Sequence, residues 1–217
     1  MMFTKYGYTT IGVVAFISFL FIVSSLFIQY TPAKISLLVI AAIILFLTLN
    51  FFRDPERTPP LKDKIIVSPA DGKVLFVKKI EDKKFINSEA YQISVFMSPL
   101  DVHVNRIPIS GKVDLLNYYE GEYIAAFEDK SSELNERMEI GITSINGKIF
   151  FTQVAGFVAR RIVNDLKRGE EVKIGNRFGM IKFGSRSDII VSSEWTPMVK
   201  QDDRVTAGET ILFELNK

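Results

Sequence analysis

Two apolar runs near the start, Ile11 to Ile28 and Ile35 to Phe52, constrain this chain most, because neither contains a charged residue. Eighteen helical residues rise about 27 Å, close to the hydrocarbon thickness of a bilayer. The second run is too uniformly apolar for an amphipathic surface helix. No small-x-small site closes the first, as it would in a cleaved signal peptide. Both are therefore read as transmembrane helices. Gln29 to Lys34 lies between them and contains Thr31-Pro32, a helix breaker that predicts a tight reversal. The two ends of such a hairpin lie on one side. That side holds Lys5, Arg53, Arg57, Lys62 and Lys64, against Lys34 alone in the turn, so the large remainder is expected on the cytoplasmic face of the cell membrane.

Of the 27 basic residues only Lys5 and Lys34 fall within 1–52, and none of the 25 acidic ones does, so residues 53–217 are balanced in charge. A neutral domain without a basic, aromatic-interleaved stretch is not a nucleic-acid binder. There is no cysteine, which excludes disulfides, thiolate metal sites and a cysteine nucleophile. No metal site is expected. Any imidazole chemistry must pass through His103, the single histidine.

Past Phe52 the pattern changes. Pro55, Pro59 and Pro60 mark an extended linker over Arg53 to Leu61. Val74 to Val77, Tyr91 to Met97 and Lys112 to Tyr118 are rich in β-branched and aromatic residues and read as strands. Met138 to Ile145 and Lys148 to Val154 flank Asn146-Gly147, which predicts a hairpin with a type I′ turn. Lys173 to Phe183 and Asp188 to Ser193 read as further strands, and Val205, Gly208, Thr210 and Ile211 as a closing turn and strand. Tyr123 to Glu136 is the one stretch with helical character. The fold expected is mainly β: an anchor over 1–52, then a sandwich or barrel over 53–217.

Ser185 stands in Phe183-Gly184-Ser185-Arg186, at the end of an apolar strand. His103 stands in Ser98-Pro99-Leu100-Asp101-Val102-His103-Val104-Asn105-Arg106-Ile107-Pro108, and Asp71 in Ser68-Pro69-Ala70-Asp71-Gly72. Taken singly, Gly-Ser and Asp-Gly are common turn dipeptides, and a lone histidine is more often structural than catalytic. Their company gives them weight.

Together with Arg53-Asp54-Pro55, Asn135-Glu136-Arg137, Gln153-Val154-Ala155-Gly156, Ala159-Arg160-Arg161-Ile162 and Arg177-Phe178-Gly179-Met180-Ile181, these segments run in an order that resembles the phosphatidylserine decarboxylases, in their short bacterial and archaeal form. The resemblance spans nearly the whole chain. It implies a proenzyme cleaved between Gly184 and Ser185 into a β chain, 1–184, and an α chain beginning at Ser185 with a pyruvoyl group. It also implies a β fold similar to the glucose carrier domains of sugar phosphotransferases. Longer members carry a second histidine three positions after the first, where this chain has Arg106.

The chemistry suits these residue types. Decarboxylating an α-amino acid needs an electron sink, and a pyruvoyl carbonyl joined to the substrate amine as a Schiff base supplies one. Making it requires the Ser185 hydroxyl to attack the Gly184 carbonyl, a base to activate that hydroxyl, and donors for the oxyanion. His103 is the candidate base, with Asp71 orienting its ring. Arg106, Arg160, Arg161, Arg177 and Arg186 are candidates for the phosphate and carboxylate of a phospholipid substrate, with Lys182 beside them. A related seryl lipid, archaetidylserine, is an alternative substrate. A membrane-tethered, non-enzymatic carrier-like module is the alternative of a different class. Self-association is left open.

Overall fold

The computed structural model describes residues 2–122, 124, 134–156, 161–182 and 185–215. It divides into two units, Met1–Glu56 and Arg57–Lys217.

The first unit is a helical hairpin, α1 over Tyr8–Ser25 and α2 over Thr31–Phe51. Thr31-Pro32 does not sit in the reversal as the sequence suggested. Pro32 falls in the first turn of α2, where its fixed φ and missing N–H suit the free helix end, and the reversal runs over 26–30. The N-terminal residues return to the end of α2: Thr4 N–H donates to Phe52 O (3.0 Å), and Asp54 N–H to Met2 O (2.8 Å). Both ends of the hairpin thus lie together. Both helices are long and apolar enough to cross a membrane.

The second unit is antiparallel β throughout its described strands. Those are β1 Ile65–Val67, β2 Gly72–Asp82, β3 Ser88–Met97, β4 Val104–Arg106, β5 Gly111–Tyr119, β6 Arg137–Ser144, β7 Gly147–Ala155, β8 Arg161–Asn164, β9 Glu171–Val172, β10 Arg177–Lys182, β11 Ser185–Ser192, β12 Trp195–Pro197, β13 Arg204–Val205 and β14 Ile211–Leu215. An eight-stranded sheet of order β13-β2-β3-β11-β7-β6-β5-β9 curls into a half-barrel. Two three-stranded sheets, β4-β10-β8 and β1-β14-β12, accompany it. Alternate residues of the central strands, Ile93 and Val95, Ile140 and Ile142, Ile149 and Phe151, Ile189 and Val191, share one core with Phe178, Trp195 and Phe213. This period of two is what one buried face of a sheet requires.

Three expectations change. Lys173 to Phe183 is not one strand: Gly175 turns at φ 80°, dividing β9 from β10. The strand expected at Asp188 begins at Ser185, so Ser185 is a strand residue and not a turn. In the β6–β7 hairpin Ser144 pairs with Gly147, leaving Ile145 and Asn146 at the tip. Asn146 is not among the residues with positive φ, so the turn lacks the type I′ form, and Gly147 at φ 118° carries the left-handed step. The helical character expected over Tyr123 to Glu136 falls for the most part outside the described residues.

A Cβ at Gly147 would meet nothing within 4 Å, so Gly147→Ala strains only the backbone. We expect it to lower stability by about 1–2 kcal/mol, read as a shifted denaturation midpoint of the detergent-solubilised chain. Ile145→Ser, at the fully exposed tip, should leave that midpoint unmoved.

Candidate active site

Ser185 is fully buried and opens β11, paired with Met97 of β3 on one side and Ala155 of β7 on the other. Its hydroxyl donates to the Met97 sulfur at 3.6 Å. A thioether is a weak acceptor, so the hydroxyl is held in place without being strongly engaged. The preceding strand β10 ends at Lys182 in a different sheet. The peptide bond before Ser185 therefore belongs to a two-residue passage between sheets. Gly184 itself lies outside the described residues.

His103 is also fully buried. It precedes β4, and its carbonyl accepts from the Ile181 N–H of β10 (3.4 Å), which ties it to the strand leading into that passage. The ring Nδ1 lies 2.9 Å from Asp101 O. A carbonyl can only accept, so in the neutral ring Nδ1 carries the proton and Nε2 is the basic nitrogen. Asp101 is itself fixed, its carboxylate accepting from Ser98 N–H (2.8 Å) and Arg204 Nη1 (3.0 Å).

The sequence suggests Asp71 as the group that orients the His103 ring, and the hydrogen bonds described for Asp71 run to other partners. Its carboxylate accepts from both terminal nitrogens of Arg57 and from the Ala207 N–H (2.8 Å). The side chain is mostly buried, and a buried carboxylate without a cation is costly. Arg57 meets that need, and the described partner of the His103 ring is the Asp101 carbonyl. The adjoining Gly72, at φ 150°, abuts the end of β3, where a Cβ would lie 2.0 Å from Phe96 O. Asp71 thus fastens the turn that packs beside Met97.

A run of amides near Ser185, two of them buried and Asn164 half-buried, was not foreseen. Asn164 Nδ2 donates to Gln153 Oε1 (3.1 Å) and Gln153 Nε2 to Asn105 Oδ1 (2.9 Å). Asn105 Nδ2 donates to Pro69 O (3.2 Å) and approaches the Met97 sulfur (3.8 Å). The available signal was a polar residue inside an apolar strand, Gln153 in Ile149-Phe150-Phe151-Thr152-Gln153-Val154.

The arginines divide by burial. Arg186 is 1% exposed, with Nε donating to Asp188 Oδ1 (2.7 Å) and its guanidinium 5.0 Å from the Phe76 ring centre. That ion pair lies within β11. Arg106 is buried as well, with Nη1 on Gly175 O (2.9 Å). Arg161 and Arg177 are exposed. Arg161 is the partner of Lys182 across β8 and β10. Burial, and then the Arg161 charge, hold the Lys182 ammonium below its usual pKa. Arg160 lies outside the described residues.

The family model for phosphatidylserine decarboxylase matches residues 44–213. The chain is 47% identical over 211 residues to a phosphatidylserine decarboxylase proenzyme of Pelodictyon phaeoclathratiforme, covering 97% of this chain and 99% of that one. It is 49% identical over 212 residues to that of Chlorobium luteolum, with the same shares covered, and 44% identical over 212 residues to that of Chlorobaculum tepidum, covering 98% and 97%. With a buried serine at a sheet crossing and relatives matched from end to end, the chain belongs to the phosphatidylserine decarboxylase family.

Proposed function

We propose that this protein is a proenzyme that cuts itself between Gly184 and Ser185 and then decarboxylates phosphatidylserine to phosphatidylethanolamine, with a pyruvoyl group derived from Ser185. The observation that carries the reading is a buried hydroxyl with a thioether acceptor, on the residue where the chain passes from one sheet to the next. Burial excludes water that would hydrolyse a reactive backbone or compete for the hydroxyl.

The residues present fit a pyruvoyl group. It would occupy the position where Ser185 is enclosed between Met97 and Ala155. When present, such a group supplies a carbonyl that accepts the electrons left on the substrate carbon as CO₂ departs.

The chain's own residues have the following parts. The Ser185 oxygen bonds to the Gly184 carbonyl carbon while its proton passes to a base. The C–N bond then breaks, and the amine of residue 185 takes a proton. Loss of the Cα proton expels the Gly184 carboxylate, and hydrolysis releases ammonia. His103 Nε2 is the basic nitrogen available for proton transfer, in cleavage, in reprotonating the product carbon, or in both. Asp71 acts through Arg57 and Ala207 as a support for the turn beside Met97. Arg161 and Lys182 are like charges in direct register, which an anionic headgroup would relieve; Arg177, also exposed, stands on the same strand as Lys182. The helical hairpin would hold the domain at the headgroup layer, on the cytoplasmic face by its flanking lysines and arginines.

On a denaturing gel with mass spectrometry, the wild-type chain should yield a fragment beginning at residue 185 with a blocked N-terminus, and Ser185→Ala should remain intact. Intact wild-type chain in active membranes would overturn the reading. His103→Ala should lower turnover by about 10²- to 10⁴-fold. Arg161→Ala should raise KM for the lipid by about tenfold or more, the scale of a charge-assisted contact. Arg186→Met, by contrast, leaves Asp188 buried without its cation and should cost about 3–5 kcal/mol of stability, read as a lowered Tm.

A further inference from the structure

The amide run beside Ser185 has a fixed polarity. At one end the Leu166 N–H donates to Asn164 Oδ1 (2.8 Å), and at the other Asn105 Nδ2 meets the Pro69 carbonyl. A backbone N–H can only donate and a carbonyl can only accept. The Asn164 amide nitrogen must therefore face Gln153, the Gln153 nitrogen must face Asn105, and the Asn105 nitrogen must face Pro69 and Met97. No amide in the run can flip without pairing two donors or two acceptors.

The placement is as constrained as the polarity. Gly179 of β10 is the Cα partner of Asn105 on one side and of Asn164 on the other. A Cβ there would lie 2.2 Å from Val163 O and 3.1 Å from Gln153 Nε2. The missing side chain is the gap through which Gln153, from the eight-stranded sheet, reaches both asparagines. Asn105 and Gln153 are both fully buried, where a polar group without partners is expensive.

What this arrangement delivers is one N–H. Of the two hydrogens on Asn105 Nδ2, one has the Pro69 carbonyl, and the other has the Met97 sulfur that also accepts from Ser185 Oγ. Donor and nucleophile share one weak acceptor, so either can leave it cheaply. We propose that Asn105 is the oxyanion donor of self-cleavage, with Gln153 and Asn164 as positioning residues that aim its N–H at the reaction centre. As the Ser185 oxygen bonds to the Gly184 carbonyl carbon, that carbonyl oxygen gains the electron pair and Asn105 stabilises it. The pair returns when the C–N bond breaks. This inference rests on the reading that Ser185 cuts the chain.

The test follows scission of freshly translated full-length chain over time. Asn105→Asp keeps the acceptor for Gln153 and removes the donor. Gln153→Glu leaves Asn105 in place but presents it with an acceptor, turning the Asn105 oxygen toward Met97. Each should slow scission by about 10²- to 10³-fold, the effect of losing one oxyanion donor, in a chain whose near-UV circular dichroism matches Ser185→Ala. The stalled chains should also resist hydroxylamine, because they remain amides. Scission at the wild-type rate in either folded variant overturns the proposal. So does hydroxylamine-sensitive ester in the stalled chain, for then the acyl shift has occurred and a later step is blocked. A wild-type chain that never separates at Gly184 and Ser185 would instead overturn the underlying reading of self-cleavage.

Discussion

The short passage from β10 to β11 is the constraint on which the site depends. Both strands are interior ones: β10 runs between β4 and β8, and β11 between β3 and β7. A strand paired on both sides cannot slide without breaking two ladders, and a slip of one residue would turn every side chain to the wrong face. In β11 that alternation sends Ile189 and Val191 into the core with Ser185, and Arg186 with Asp188 to the opposite face. The direction of the Ser185 hydroxyl is thus set by the apolar pattern of the strand that follows it. The same holds for His103, whose carbonyl is tied to Ile181 just before the passage.

Two of the buried arginines in this region are matched with carboxylates. Arg57 with Asp71, and Arg186 with Asp188, bury opposite charges in pairs. Ser94 adds a hydrogen bond of 2.6 Å to the Asp188 oxygen that Arg186 holds. Such pairs add little net stability over apolar substitutes, but leaving one partner alone is severe. They also commit their arginines. Arg161 and Arg177 are exposed on β8 and on its neighbour β10, the strand that leads to Ser185, and only groups so placed can meet an anion arriving from outside.

The parts of this fold that are legible in sequence are those governed by local period. The apolar runs gave a hairpin, and the alternating segments gave β2, β3, β5, β6 and β7 with their ends displaced by a few residues. Long-range partners are not local. Nothing in Pro69-Ala70-Asp71-Gly72 announces that its carboxylate belongs to an arginine 14 residues upstream, and no side chain encodes the carbonyl of Asp101 that fixes the His103 tautomer. The Arg186–Asp188 pair was within reach, because residues two apart in a strand share a face, and an arginine and an aspartate so spaced in an apolar strand are natural partners. Ser185 itself was legible as a residue but not as a strand residue, since Gly-Ser reads locally as a turn.

A cut before Ser185 would fall where β11 begins, which raises the question of what then holds the two pieces together. The answer lies in the pairing. From Ser185 to Ser192, β11 is bonded to β3, and from Ser185 to Val191 to β7. Beyond it, β13 pairs with β2, and β14 lies between β1 and β12. Three strands of the C-terminal piece are therefore laddered to strands of the N-terminal piece, and Trp195, Leu212 and Phe213 sit in the common core. Separating the pieces would break those ladders and expose that core together. The covalent bond before Ser185 is thus the one link across this junction that the fold can lose while every other contact stays made.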